Sequence, residues 1–262
     1  MRVSFGHQVL EVAPIADVRR GKDFEWDAIV LKIELHSHTS DDPCDDIPHS
    51  TNQLIDRAAD LGYDGIAITL HDRQLDLRPF ASHARERGIT IIPGIERTIE
   101  GRHVLLLNFS AATETVHDFD DVRRLKSCEP SGLVIAPHPF FPIGTSLREL
   151  MDRHASVFDA VEFNAMFTSV VNFNRAAERW AQRNGKPMVG NGDIHRLRQL
   201  GSTWSLVDAA PTSDAICEAI RGGRVTVQAQ PLSATAAAAI MSDLVFSDIR
   251  RSRLGQVLER SS

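Results

Sequence analysis

Two short stretches of this chain hold histidines and acids at a spacing suited to metal chemistry. "ELHSHT" places His36 and His38 two residues apart, and "GDIH" does the same for Asp193 and His195. Successive strand side chains point to opposite faces, so residues two apart share a face. Neutral imidazole and carboxylate are ligands for divalent zinc, manganese or iron. Four more residues of these types stand singly: His71 in "AITLHD", Glu96 in "IIPGIE", His103 in "GRHVLLL" and His138 in "VIAPHP". Each alone reads as an ordinary hydrogen-bonded residue, Glu96 as a solvated loop acid and Asp193 as a turn or helix cap. Buried together without a counter-ion they would be costly. Their shared chemistry therefore points to a metal cluster.

The elements that must position them are short apolar runs alternating with amphipathic stretches. Candidate strands cover residues 31–36, 64–69, 89–94, 103–109, 133–137, 159–164, 186–191 and 202–207. The first candidate helix follows Ser50, which has capping-box spacing to Gln53, and Gly62 is placed to end it. Others span 76–88, 115–127, 146–154, 170–184 and 212–222. Repeated strand–helix alternation predicts a parallel sheet covered by helices, and this many units favours a barrel over an open sheet. On that map His36, His38, His71, Glu96, His138, Asp193 and His195 fall at or just past the carboxyl end of a strand, where parallel α/β folds build sites. His103 opens its strand. The remaining histidines, His7, His49, His83, His117 and His154, lie elsewhere and read as surface or core residues. His49 is the ambiguous one, in the loop after the first doublet.

The chain has 262 residues, 42% hydrophobic and 24% charged, with net charge −6. That composition suits a soluble domain and offers no broad basic face for duplex nucleic acid. Three cysteines without C-x-x-C spacing fit a reducing cytoplasm rather than a disulfide framework. The amino-terminal stretch lacks a signal-peptide layout, and no apolar run approaches the roughly 18 residues of a membrane helix. The expected organisation is an extension at 1–30, a barrel domain at 31–230 and a tail at 231–262.

In this order the motifs "ELHSHT", "AITLHD", "PGIE", "APHP" and "GDIH" resemble those of the PHP (polymerase and histidinol phosphatase) superfamily, from about residue 31 to about residue 227. The resemblance implies a distorted (β/α)7 TIM-like barrel binding two or three divalent ions, manganese, zinc or iron rather than magnesium. It also implies hydrolysis of a small phosphoester, a nucleotide or an oligonucleotide phosphate by metal-activated hydroxide. Carried over by position, His36, His38 and Asp193 would bind the first ion and Glu96 would bridge it to the second. His103 and His138 would complete the second, and His71 and His195 would hold the third. Counting back from Leu54 puts a further ligand at Asp46, with Asp45 a near-equal candidate and Asp41 and Asp42 ranked below. Glu96, Asp193 and His195 are the catalytic candidates. Two departures stand out: Leu70 replaces the aspartate usual before His71, and the acidic first loop is long.

Phosphate needs cationic partners beyond the metals, and Arg73, Arg97, Arg196 and Arg198 follow the metal motifs. Phe140 and Phe141, after His138, would allow base stacking. Two competing readings are a related metal-dependent amidohydrolase acting on a carbon centre and a non-catalytic metal-binding domain. The first lacks a strand-end lysine; the second conflicts with the nearly full ligand set.

Overall fold

The computed structural model describes residues 30–240 and Ser242. The strands are Val30–Glu34 (β1), Gly65–Ile68 (β2), Thr90–Ile99 (β3), Arg102–Leu107 (β4), Leu133–Ala136 (β5), Ala160–Asn164 (β6), Met188–Asn191 (β7), Thr203–Asp208 (β8) and Val225–Ala229 (β9). They form one sheet in the order β7-β6-β5-β4-β3-β2-β1-β8-β9. Helices Thr51–Asp60 (α1), Ala81–Glu86 (α2), Phe119–Cys128 (α3), Leu150–Arg153 (α4), Asn174–Asn184 (α5) and Ser213–Arg221 (α6) surround it. The Ser50–Gln53 capping box of α1 forms as its spacing predicts. α5 starts later than expected because residues 165–173 form a loop.

The expectation of a wholly parallel sheet is corrected. β1–β3 pair in parallel, as do β5–β7, but β4 is antiparallel to both neighbours and β8 to β1 and β9. The cause is local. Ile99 pairs with Arg102, leaving a two-residue turn of Glu100 and Gly101 at φ 50° and 74°. Two positive φ angles make a tight hairpin of the type that matches strand twist, with no room for a crossover helix. His103 therefore reaches the site from the starting end of a reversed strand.

The two strand faces bury different partners. Val104, Leu106, Val134 and Ala136 pack outwards against α3, α4 and α5, while Ile66 and Ile68 pack against α1. Ala67, Ile92, Leu105, Leu133, Ile135, Ala160 and Val189 share the interior with Ile216, Cys217 and Ile220 of α6. The same period of two carries Ile92 through Gly94 to Glu96, Ala160 to Glu162, and Val189 to Asn191. The interior is thus apolar at one end and acidic at the carboxyl rim.

The rim is closed by backbone pairing between the segments that leave β1 and β7. His38 N–H donates to Ile194 O at 3.0 Å and Ile194 N–H to His36 O at 3.1 Å. Lower down, β7 runs so close to β8 that a Cβ on Gly190 would stand 2.6 Å from Trp204 O. The result is a nearly closed, distorted barrel. Residues 234–240 form a helix, and Arg198 donates to Ala239 O at 3.0 Å. The expected amino-terminal extension, up to residue 29, and most of the tail beyond residue 240 lie outside the described residues.

Candidate metal centre

The closing pairs bring the two doublets together. His36 Nε2 lies 3.4 Å from Asp193 Oδ1 and 3.3 Å from Glu96 Oε2, and His38 Nε2 lies 3.6 and 3.4 Å from the same two oxygens. His36 Nε2, His38 Nε2 and Asp193 Oδ1 are buried and have no hydrogen-bond partner among the described residues. Three unpartnered ligand atoms converging on one point are a poor hydrogen-bonded cluster and a good fit for a divalent ion.

Glu96 occupies the middle. Oε1 lies 2.7 Å from His103 Nδ1 and 3.2 Å from His138 Nε2, while Oε2 lies 3.0 Å from His71 Nε2. His71 is drawn in by a parallel bridge to Glu96 beyond the end of β2. Groups able to hold an ion are His36–His38–Asp193, His36–Glu96–His138, His71–Glu96–His103 and His38–His71–His195. His195 Nε2 also lies 3.0 Å from Asp45 Oδ2. His138 sits at φ 29°, an uncommon backbone conformation held by its N–H on Glu162 Oε1 and its carbonyl under Ser146 Oγ.

The charges are interlocked. Burial alone would lower the pKa of His36, but Asp193, Glu96 and Glu162 raise it well above the usual histidine value. His71 is likewise opposed by burial yet pushed up to about 11 by Asp42 and Glu96. Glu96 and Asp193 are held well below the carboxylate range by the surrounding histidines, against their burial. His38 is lowered by burial and by His195 and His71 beside it.

Residues 34–163 match the PHP domain and residues 171–225 the PHP-associated segment. The chain belongs to the PHP family. Among solved structures it is similar to a two-domain protein containing a predicted PHP-like metal-dependent phosphoesterase from Bacteroides vulgatus (20% identity, TM-score 0.60, covering 77% of this chain and 65% of that one). PsfC from Pseudomonas syringae is similar at 14% identity and TM-score 0.56, covering 86% of this chain and 99% of that one. The lesion-specific endonuclease EndoQ from Pyrococcus furiosus is similar at 17% identity and TM-score 0.52, covering 76% of this chain and 58% of that one. At such identities the likeness concerns the fold. This chain spans less than two thirds of the Bacteroides protein. No curated protein matches it.

Against the PHP motifs, the structure gathers His36, His38, His71, Glu96, His103, His138, Asp193 and His195 at one rim. It separates the two aspartates that counting left level. Asp45 meets His195, whereas Asp46 is exposed and its backbone carbonyl accepts from Arg196 at 3.2 Å. Of the two, Asp45 is the one that meets the cluster, and the Asp46 side chain is exposed. Of the arginines, Arg73 donates to Asp41 O and Arg196 to Asp46 O, so both flank the acidic loop. Arg97 is tied to Asp72 at 2.7 Å and to Val116 O, and Arg198 reaches the carboxy-terminal helix.

Sequence reasoning passed over Glu162, Asn191, Asn164 and Glu34, which are buried behind the ligands. Glu162 Oε2 lies 2.8 Å from His36 Nδ1 and accepts from Asn191 Nδ2. Asn164 Nδ2 donates to Glu162 Oε1 at 2.8 Å. Glu34 accepts from the N–H groups of His36 and Gly192, and burial raises its pKa to about 8. Asp42, ranked low from the sequence, lies 3.0 Å from Nδ1 of both His38 and His71. The signal that marks Glu34 and Glu162 is a single acid in a short, mostly apolar strand. His49, the ambiguous histidine, is buried with Nε2 2.9 Å from His38 O.

Proposed function

We propose that this chain is a metal-dependent phosphoesterase that hydrolyses a small phosphorylated substrate. The observation that carries the reading is the convergence of the unpartnered His36 Nε2, His38 Nε2 and Asp193 Oδ1 beside Glu96. The ligand set of imidazoles with two carboxylates suits manganese, zinc or iron, and the four overlapping groups provide for two or three ions. Divalent ions held there supply an acidified water and neutralise charge on phosphoryl oxygens. The chain's own residues do the rest. Glu96, which belongs to two of these groups, would be a ligand in both. Asp193 and His195, side by side at 3.4 Å, are placed to hold or pass the proton of the attacking water. Arg73 and Arg196, on either side of the acidic loop, are the arginines best placed to meet phosphate oxygens.

The aromatic residues near the rim bear on the substrate class. The Phe141 ring lies 6.5 Å from the His138 ring and 5.5 Å from that of Phe173. Phe173, Ile143 and Val171 expose 40%, 44% and 48% of their surface. The Phe141–Phe173 pair next to His138 suits a flat leaving group, and we favour a nucleotide or oligonucleotide phosphate. The Pyrococcus neighbour is a lesion-specific endonuclease, which agrees with this choice. Phe140 is corrected as a stacking candidate, because it packs against the core under α3–α5. Among the described residues no helix is long and apolar enough to cross a membrane.

The test is turnover by the manganese- or zinc-loaded protein on sugar phosphates, nucleoside monophosphates and bisphosphates, and dinucleotides. The reading expects metal-dependent release of phosphate or nucleotide, fastest with base-bearing substrates. Hydrolysis of amide or lactone substrates alone would favour the amidohydrolase reading instead.

A further inference from the structure

One carboxylate behind the cluster joins two of its histidines to the loop that carries Asp45. The Asp42 side chain is fully buried. Its Oδ2 lies 3.0 Å from His38 Nδ1 and 3.0 Å from His71 Nδ1, and accepts from the His71 N–H at 2.9 Å. Its Oδ1 accepts from the N–H groups of Cys44 at 2.8 Å and Asp45 at 3.0 Å. These contacts join the segment after β1, the segment after β2 and the loop that carries Asp45.

An ionised carboxylate only accepts, so each ring nitrogen facing it must carry the hydrogen. In the neutral rings the lone pairs of His38 and His71 are thereby confined to Nε2, the atoms that face Glu96 at 3.4 and 3.0 Å. Asp42 sits on the far side of both rings, with both oxygens engaged, so it is not placed as a ligand. Its Oδ1 contacts fold the turn that delivers Asp45 to His195 at 3.0 Å.

We infer that Asp42 is a positioning residue that fixes the tautomers of His38 and His71 and, through the same carboxylate, sets Asp45, so that separate ion positions are assembled together. The inference rests on the metal-centre reading but goes beyond it, since nothing in the ligand set requires one residue to serve both. Hydrogen-bond partners of this kind typically govern about 10- to 100-fold in metal affinity.

The experiment has two arms. In the metal-free wild-type protein, 15N-histidine NMR should show His38 with hydrogen on Nδ1; hydrogen on Nε2 would overturn the inference without any variant. In the second arm, zinc is titrated into wild type, Asp42→Asn and Asp45→Ala with a competing chromophoric chelator. The amide of Asp42→Asn can satisfy the loop N–H groups or the imidazoles, not both. It should therefore weaken more than one ion position by about 10- to 100-fold, whereas Asp45→Ala weakens one. If Asp42→Asn binds zinc as wild type does, or loses only the ion that Asp45→Ala loses, the positioning role is wrong. If Asp42→Asn does not fold, the wild-type tautomer still decides. A wild-type protein that binds no zinc would defeat the metal-centre reading, while its His38 tautomer would still report on Asp42.

Discussion

Nδ1 of His36 lies 2.8 Å from Oε2 of Glu162, with both side chains fully buried. The pair fixes His36 with Nε2 facing Asp193 and Glu96. Glu162→Gln keeps the shape but turns one of its two accepting oxygens into a donor, so the His36 ring and the His138 N–H can no longer both be held. We expect zinc affinity to fall about 10- to 100-fold with the fold retained. Calorimetric titration beside a thermal melt checks this; unchanged affinity would mean that Glu162 serves only the barrel interior.

Glu96 is the most connected side chain of the cluster, and Asp193 is the acid shared by the two doublets. Glu96→Gln and Asp193→Asn should each lower kcat by about a hundredfold or more, on the scale of losing metal-activated water. Steady-state rates at saturating metal and substrate decide it. Near-normal turnover of either variant would remove that residue from the reaction.

The acidic loop separates its own residues. Asp45→Ala should reduce bound metal by about one ion per chain and slow hydrolysis, because it meets His195. Asp46→Ala should change neither, because its side chain is exposed. Elemental analysis of the two variants prepared in parallel gives the answer; equal losses would show that the loop moves on metal binding.

Much of this site was legible because strand periodicity carries position. Two doublets and four single residues sat at rim positions, and the strands expected around them are present. The rest was hidden for identifiable reasons. Glu34 and Glu162 lie within short apolar strands, where an acid reads as a break in pattern rather than as a support for His36. The reversal of β4 depends on two positive φ angles at Glu100 and Gly101, and only the glycine hints at that. Asp42, Asp45 and Asp46 are chemically identical over five residues, so only the turn, held by Asp42 Oδ1, tells which side chain points inwards. β9 escaped notice because its residues are mostly exposed and it follows a glycine stop.

Protons and metal compete for the same ring nitrogens. His71, pushed up to about 11, holds its proton near neutrality in the metal-free protein, and His36 and His195 are shifted in the same direction by the acids around them. A bound ion must displace such protons, so affinity should rise with pH, by about tenfold per pH unit for each proton released between about pH 6 and about pH 8. The metal-free fold has the opposite sign. A raised histidine stabilises it fully below the unfolded value of 6.5 and loses that contribution as pH climbs through about 11. Zinc titrations across this range, with proton release followed in weak buffer, check the first statement. A pH-independent affinity would contradict it.

The central claim is that the rim is a multi-ion centre built for phosphoester hydrolysis. Its most direct test is metal content measured together with phosphoesterase rate, after chelation and reconstitution with manganese or zinc. The account predicts two or more ions per chain, with activity lost on chelation and restored on reloading. Less than one ion per chain after reconstitution, or a rate indifferent to chelator, would contradict it.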